Sequence, residues 1–243
     1  HSSKYKEQVK KTKASFCITT NKLVQHLSKS CKPIIVENVL LSLAKVTILF
    51  YPDSVTDDLQ INLRKIEKNV IKKFNLKVGK NVLLGKNVTI GKNSLIGHNS
   101  IIESNVQIGK NCNIGSNVII KKSVIGNNVS ILDGSVIGKK GFGFFPSKNK
   151  NIKYPHIGMV IVGNNVEIGC NNTIDRGSLS NTIIGDNCFL DNQVHIAHNV
   201  KIGKNCVITA QVGFAGSSII GDNTMIGGQA GISGHLKIGD NVQ

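Results

Sequence analysis

The stretch that decides the fold is residues 184–243, which reads IGDNCF-LDNQVH-IAHNVK-IGKNCV-ITAQVG-FAGSSI-IGDNTM-IGGQAG-ISGHLK-IGDNVQ. A large apolar residue opens every block of six, and Gly, Asn or Gln often follow at fixed offsets. An α-helix would need a hydrophobic period of about 3.6 residues, and a half-buried strand would need strict alternation. A period of six, with residues that tolerate positive φ, instead predicts a short strand and a sharp corner in each block.

The same period extends towards the N-terminus with few breaks. From Val78 to Ile238 the chain holds 24 such blocks, here called hexads. Three hexads would close a triangular coil of 18 residues, so the repeat predicts about eight coils of a parallel β-helix. Stacked aliphatic columns would fill this narrow prism, which agrees with a composition of 40% hydrophobic but only 5% aromatic residues.

Residues 1–65 lack the repeat. Apolar runs at 15–19 and 33–36 predict short strands, and the apolar spacing over 37–49 predicts a helix. We therefore expect a small N-terminal α/β domain over 1–65, joined to a mainly β domain, the β-helix, over 66–243. Because the chain begins without Met and stops within the repeat, we expect the α/β domain to be truncated and the protein to be longer.

Charge and composition narrow the classes of function. The 30 basic and 14 acidic residues give a net charge of +16, which favours acidic partners. The basic residues are scattered and no recognition helix or zinc finger accompanies them, so nucleic-acid binding is not expected. No apolar run reaches the length of a bilayer span, which predicts a protein without a transmembrane segment. Six cysteines without a secretory signal favour a reducing cytoplasm.

Breaks in the repeat single out one side of the predicted prism. Counting three hexads per coil, the later hexads on this side open with Ile137, Ile174, Ile196, Phe214 and Ile232. Two large interruptions leave from the same side, an excursion over 143–161 and a four-residue bulge at 178–181. Loops and polar residues gathered on one face of a rigid scaffold indicate a functional site.

His198 and Gly216 are the candidate catalytic residues on this face. They are 18 residues apart without an interruption, so they occupy the same hexad position on adjacent coils. A backbone N–H of the Gly216 turn is therefore expected near the imidazole. A base beside such a donor suits acyl transfer, because the base removes a proton from the attacking group and the N–H stabilises the oxyanion.

Other residues near this pair have two interpretations each. Asp175 would stack beneath the His198 turn, where it either orients the imidazole or binds a sugar hydroxyl. His195 is the last residue of its hexad, which favours a corner residue over a catalyst. Cys188 and Cys206 lie one coil apart, as stacked core residues or as a disulfide, and the first reading is preferred.

The order of several motifs resembles one family. GFGF at 141–144, IDRG at 174–177, DNQ at 191–193, IAHN at 196–199, AGS at 215–217 and SGH at 233–235 look like the UDP-3-O-(3-hydroxyacyl)glucosamine N-acyltransferases of lipid A biosynthesis, members of the hexapeptide-repeat acyltransferases. The resemblance implies a left-handed prism and a homotrimer with active sites between subunits. It also implies that His198 is the general base and that Gly216 supplies the oxyanion-hole amide.

The same resemblance implies the substrates and their contacts. The donor would be a 3-hydroxyacyl chain on acyl carrier protein, the acceptor a UDP-sugar, and no metal or organic cofactor is implied. His235 would contact the 3-hydroxyacyl group and Tyr5 would stack on uracil. The remaining substrate contacts would come from Phe142, Asp175, Asp191 and Asn192. We expect a cytoplasmic protein, with peripheral attachment to the inner membrane as a further expectation.

Three alternatives stay open on the sequence alone. A zinc hydratase of the γ-carbonic-anhydrase type could use His195, His198 and His235 as ligands, although that family places its close pair five residues apart rather than three. A UDP-N-acetylglucosamine O-acyltransferase shares the repeat but lacks an N-terminal α/β domain. A non-enzymatic β-helix would leave the irregular histidine face without a purpose.

Overall fold

The computed structural model describes residues 6–146 and 151–243, and their contacts form two compact units. The first unit takes the chain up to Val55 together with the segment Phe144–Pro155, and the second takes Thr56–Gly143 and His156–Gln243. Residues 56–65 therefore group with the repeat, ten residues before the expected boundary. A bridge explains this grouping, since the Arg64 N–H donates to the Leu84 carbonyl at 2.8 Å and the Arg64 carbonyl accepts from the Leu84 N–H at 2.7 Å.

The first unit contains two parallel strands followed by a helix. The strands are Phe16–Thr19 and Lys32–Ile35, and the helix is Val39–Phe50. Asn38 caps the helix, because its side-chain oxygen accepts from the Leu41 N–H at 2.9 Å. These elements confirm the predicted order, with bounds shifted by one or two residues. The unit also contains the helix Lys6–Lys10, the 3₁₀ helices Asn21–His26 and Pro52–Val55, and the antiparallel pair Phe144–Phe145 and Ile152–Lys153.

The second unit is a three-sided parallel β-helix, which follows the short helix Lys68–Lys73. Among the described residues each of its three sheets has eight strands. Each of these 24 strands contains the opening residue of one of the 24 predicted hexads. The first sheet contains Lys77–Val78, Leu95–Ile96, Asn113–Ile114, Ser130–Ile131, Glu167–Ile168, Phe189–Leu190, Val207–Ile208 and Met225–Ile226. The second sheet contains Leu83–Leu84, Ile101–Ile102, Ile119–Ile120, Val136–Lys140, Thr173–Arg176, His195–Ile196, Gly213–Phe214 and Gly231–Ile232. The third sheet contains Thr89–Ile90, Gln107–Ile108, Ser123–Ile125, Val160–Val162, Thr182–Ile184, Lys201–Ile202, Ile219–Ile220 and Lys237–Ile238.

The core of the β-helix is the set of stacked hexad-opening residues. On the second sheet Ile174 pairs with Ile196, Ile196 with Phe214 and Phe214 with Ile232, as the register count predicted. Ile196 and Phe214 are fully buried. Burying a large aliphatic or aromatic side chain contributes about 1.5–3 kcal/mol, so each fully buried member of these columns stabilises the prism by an amount of this order.

Asparagine side chains build a ladder along one corner of the prism. Asn187, Asn205 and Asn223 adopt positive φ values of 58°, 56° and 56°. Each side-chain amide donates to the asparagine of the next coil, Asn187 to Asn205 at 3.2 Å and Asn205 to Asn223 at 3.0 Å. The ladder satisfies these polar groups while the backbone takes the left-handed conformation that the corner requires.

Cysteines occupy small core positions. Cys188 and Cys206 are buried, and both are free thiols. Their Sγ atoms donate to the carbonyls of Gly203 at 3.0 Å and of Gly221 at 3.1 Å, each in the next coil. The structure therefore agrees with the stacked-core interpretation rather than with a disulfide.

Candidate active site

An open cavity of about 620 Å³ lies on the second sheet of the β-helix, at the face where the repeat is interrupted. We call it the second-sheet cavity. It is lined by Phe142, Asp175, His195, Ala197, His198, Gly213, Phe214, Ala215, Gly216, Gly231, Ile232 and Ser233. The predicted site face therefore carries a concave surface, and it brings together four of the predicted site residues, Phe142, Asp175, His198 and Gly216.

His198 and Gly216 are vertical neighbours on this wall. The two strands that precede them pair in register, and the Ser217 N–H donates to the His198 carbonyl at 3.0 Å. A Cβ atom added to Gly216 would lie 2.7 Å from His198 Cε1 and 2.8 Å from Nε2. Glycine is therefore required here by the close approach of the imidazole to the Gly216 backbone.

Two further residues hold the imidazole of His198. The ring of His156 packs edge-on against it, with centroids 5.1 Å apart and an interplanar angle of 73°. On the other side, His198 Nδ1 lies 2.9 Å from Oδ1 of Asn199. His156 is buried, with 2% of its surface exposed, and it belongs to the end of the excursion over 143–161.

Asp175 and His195 form the neighbouring part of the wall. Burial raises the pKa of the Asp175 carboxyl from 3.8 to about 6, and the electrostatic influence of His198, Lys139 and Lys140 opposes part of that rise. His195 Nε2 lies 4.0 Å from the Asp175 carboxylate, and Nδ1 lies 2.8 Å from the Thr173 hydroxyl. The corner assignment for His195 was wrong, because each strand consists of the last residue of one hexad and the first of the next, so His195 lies in the strand His195–Ile196.

A bulge brings Asp175 to the site. Gly138 has φ +83°, and a Cβ there would collide with the Lys121 carbonyl. The register shifts between Ile137 and Lys139, so that Lys139 pairs with Asp175. The hexad count therefore predicted the coil of Asp175 correctly, while its local pairing depends on the glycine bulge.

A group of four charged side chains, of which Arg176 and Glu103 are buried, supports this part of the second unit. Arg176 Nη1 lies 3.0 Å from the Asp57 carboxylate, and Lys121 Nζ lies 3.5 Å from Asp57 and 2.9 Å from Glu103. The side chain of Arg176 is 6% exposed, and its Nε donates to the His156 carbonyl at 3.1 Å. The group thus ties the segment around Asp57 and the backbone of His156 to the β-helix.

Three other predicted site residues of the described part of the chain, His235, Asp191 and Asn192, are not among the residues that line the cavity. His235 is exposed, and its N–H donates to the Gly216 carbonyl at 3.1 Å. It therefore lies beside the Gly216 turn, two residues after Ser233 of the cavity wall. Asp191 and Asn192 lie in a turn, where Asp191 Oδ1 accepts from the Asn192 N–H at 2.7 Å. Tyr5 lies outside the described residues, so its predicted stacking stays a prediction.

No role at the site was predicted from the sequence for His156, Asn199 or Asp57. His156 and Asp57 lie in segments without a hexad count, so no register argument reaches them. Asn199 had a structural explanation in the repeat, since the same hexad position carries Asn205 on the next turn and both have positive φ.

The described part of the chain contains no group of three or more His, Cys, Asp or Glu side chains able to hold a metal ion, so His195, His198 and His235 do not meet as a ligand set. None of the helices in residues 6–146 and 151–243 has the length and apolar composition that spanning a bilayer requires.

Comparison with known families supports the repeat assignment. The family described as bacterial transferase hexapeptide (six repeats) matches residues 75–108, 87–122 and 181–216. The family described as hexapeptide repeat of succinyl-transferase matches residues 218–243.

Curated relatives have the name that the motifs suggested. UDP-3-O-acylglucosamine N-acyltransferase 2 of Legionella pneumophila (strain Paris) is 49% identical over 201 residues, covering 83% of this chain and 59% of the relative. UDP-3-O-acylglucosamine N-acyltransferase of Dechloromonas aromatica is 61% identical over 71 residues, covering 29% of this chain and 20% of the relative. The chain thus spans less than two thirds of the length of these curated relatives.

A solved structure establishes the fold class. UDP-N-acetylglucosamine acyltransferase from Campylobacter jejuni superposes with a TM-score of 0.59 at 24% identity, over 67% of this chain and 62% of that chain. The fold is thus mainly β, a left-handed parallel β-helix of hexapeptide repeats. The chain is a hexapeptide-repeat protein and a homologue of the UDP-3-O-acylglucosamine N-acyltransferases.

Proposed function

We propose that the protein is an N-acyltransferase of lipid A biosynthesis. It transfers a 3-hydroxyacyl chain from acyl carrier protein to the 2-amine of UDP-3-O-(3-hydroxyacyl)glucosamine. The single observation that carries the proposal is the contact of the His198 imidazole with the Gly216 backbone on the wall of an open cavity. The names of the homologous enzymes supply the substrate class.

The pair accounts for each step of amide formation. The amine nitrogen attacks the thioester carbonyl carbon, and the imidazole of His198 takes the proton that the nitrogen loses. The oxygen of the tetrahedral intermediate then carries the negative charge, which the N–H of the Gly216 turn stabilises. When the carbon–sulfur bond breaks, the imidazolium returns the proton to the departing thiolate. The base is thus neutral again and no outside oxidant or reductant is needed.

The cavity wall suits an acyl donor beside a sugar acceptor. Ala197, Ala215 and Ile232 line it next to His198, and Phe142 at its rim is 85% exposed. We assign contacts with the acceptor to Asp175, Asp191 and Asn192, the 3-hydroxyl contact to His235 and uracil stacking to Tyr5. Asp175 lines the same cavity as His198.

The proposed assembly and location follow the same resemblance. We propose a homotrimer whose active sites lie between subunits, acting in the cytoplasm and touching the inner membrane peripherally. The net charge of +16 favours an acidic donor such as acyl carrier protein, because opposite charges accelerate encounter. No cofactor is required for the reaction as written.

The test is a direct product assay with the intact protein. The protein is incubated with purified 3-hydroxyacyl–acyl carrier protein and UDP-3-O-(3-hydroxyacyl)glucosamine, and the mass of the sugar product is measured by mass spectrometry. We expect a gain of one 3-hydroxyacyl group, with UDP-N-acetylglucosamine unreactive in a parallel reaction. Acylation of UDP-N-acetylglucosamine alone would instead indicate an O-acyltransferase. Stoichiometric zinc together with CO₂ hydration and no acyl transfer would overturn the proposal.

A further inference from the structure

Both interruptions of the repeat contribute contacts around the His198 imidazole, one directly and one through Asn199. The bulge at 178–181 contacts Asn199, and the chain that returns from the excursion carries His156 against the His198 ring. The two interruptions are also bonded to each other, since the Ile157 N–H donates to the Ser178 carbonyl at 2.8 Å. The departures from the hexad pattern thus build one support around His198.

The backbone fixes which way the Asn199 amide points. Oδ1 accepts from the Ser178 N–H at 3.1 Å, and Nδ2 donates to the Ser180 carbonyl at 3.0 Å. A backbone N–H can only donate and a carbonyl can only accept, so exchanging the oxygen and nitrogen would break both bonds. The Ser178 hydroxyl, 2.7 Å from Oδ1, adds a third contact that agrees with this orientation.

The orientation of this amide decides where the proton of a neutral His198 lies. Nδ1 is 2.9 Å from Oδ1 of Asn199, and this oxygen has no proton to donate. Nδ1 must therefore carry the proton, and Nε2 is left with its lone pair. A Cβ built on Gly216 would lie 2.8 Å from Nε2, so the basic nitrogen faces the Gly216 turn.

The repeat alone does not explain this side chain. Asn205 has the same hexad position and a similar φ, but its amide joins the ladder by donating to Asn223 at 3.0 Å. The side chain of Asn199 instead turns to the bulge and to His198. The corner needs a residue that tolerates positive φ, which glycine also does, so the backbone and side-chain roles of Asn199 can be separated by experiment.

We propose that Asn199 is a positioning residue, clamped by the bulge at 178–181, that holds His198 as the tautomer protonated on Nδ1 and aims Nε2 at the acceptor amine. The proposal rests on the proposed function for its effect on rate, while the tautomer is a property of the protein itself. A partner that orients a catalytic imidazole commonly changes turnover by two or more orders of magnitude.

The experiment compares Asn199→Gly with the matched control Asn205→Gly. Both variants keep a residue suited to positive φ, and only the first removes a partner of His198. We expect Asn199→Gly to lose about 10²-fold in kcat with unfolding behaviour like that of Asn205→Gly, which should keep the wild-type rate. The ¹⁵N signals of the His198 imidazole, assigned with His198→Gln, should show one protonated Nδ1 in the wild type and mixed tautomers in Asn199→Gly.

A conservative variant provides a readout that a structural role would not move. Asn199→Asp keeps an acceptor beside Nδ1, so activity should recover at high pH. Its carboxylate stabilises the imidazolium, so the acidic limb of the kcat/KM profile should move to higher pH. An unmoved profile, or a wild-type rate and tautomer in Asn199→Gly, would overturn the clamp while the acyltransferase assignment stood. A wild-type protein without acyl transfer but with the expected tautomer change would retain the clamp and remove the proposed function.

Discussion

The close approach of Gly216 to His198 makes Gly216→Ala the most informative single substitution. The added methyl group would lie 2.7 Å from His198 Cε1, where ordinary van der Waals contact begins at 3.4 Å. The imidazole must therefore retreat by about 0.7 Å, the difference between these distances. It would retreat against the His156 ring, 5.1 Å away between centroids, and against the bond from Nδ1 to Asn199.

The displacement of the imidazole should lower kcat strongly and the stability of the folded protein only slightly. A misplacement of about 1 Å in a catalytic group can lower the rate by about 10²-fold, and we expect a loss of this order in kcat. The clash involves the end of a side chain that borders an open cavity, so we expect about 1 kcal/mol of lost stability, the lower end of the range for overpacking. Steady-state acyl transfer and chemical denaturation measure the two effects separately.

The matched control is Gly227→Ala. A Cβ at Gly227 would meet nothing within 4 Å, and Gly227 does not line the second-sheet cavity. This variant should keep the wild-type rate and stability. If Gly216→Ala turned over within about threefold of the wild type, the reasoning from the imidazole contact would be refuted.

Three further substitutions test other parts of the structure. Burial raises the pKa of Asp175 from 3.8 to about 6, so the folded state holds the proton more tightly and stability falls as the pH rises from about 4 to 6. Asp175→Asn should remove this cost, so its free energy of unfolding relative to the wild type should rise by up to about 3 kcal/mol between pH 4 and pH 8. Denaturant titrations at the two pH values measure this difference, and an equal effect of the substitution at both would contradict the prediction. Asp57→Ala leaves the buried Arg176 without its carboxylate partner and the partly buried Lys121 with Glu103 alone, so the free energy of unfolding should drop by about 3 kcal/mol. A drop below about 1 kcal/mol would contradict this account. Asn205→Ala should cost about 1–2 kcal/mol more than Asn205→Gly, since a Cβ is strained at φ +56°, and equal melting temperatures would argue against that strain.

The repeat could be predicted in detail because its physics is local. Each hexad specifies one buried aliphatic and one corner, and three hexads return the chain to the same sheet. Counting alone therefore put Ile196 beneath Phe214 and placed His198 beside Gly216, which the strand pairing and the imidazole contact confirm. The N-terminal strands and helix were also predicted, with small shifts in their bounds.

The support of the site could not be predicted, because it depends on segments outside the repeat. His156 returns from an excursion of irregular length, and Asp57 reaches Arg176 from 119 residues away in sequence. The bulge at Gly138 shifts the strand register next to Asp175, and counting hexads does not predict this shift. Asn199 has the residue type expected at a corner, so only the direction of its side chain separates the catalytic support from the ladder.

The measurement that tests the central claim most directly is the turnover of His198→Ala beside the wild type, with 3-hydroxyacyl–acyl carrier protein and UDP-3-O-(3-hydroxyacyl)glucosamine as substrates. The account predicts that kcat falls by about 10²–10⁴-fold, the contribution of a general base, while the melting temperature stays near that of the wild type. Equal turnover in the two proteins would contradict the assignment of His198 as the base.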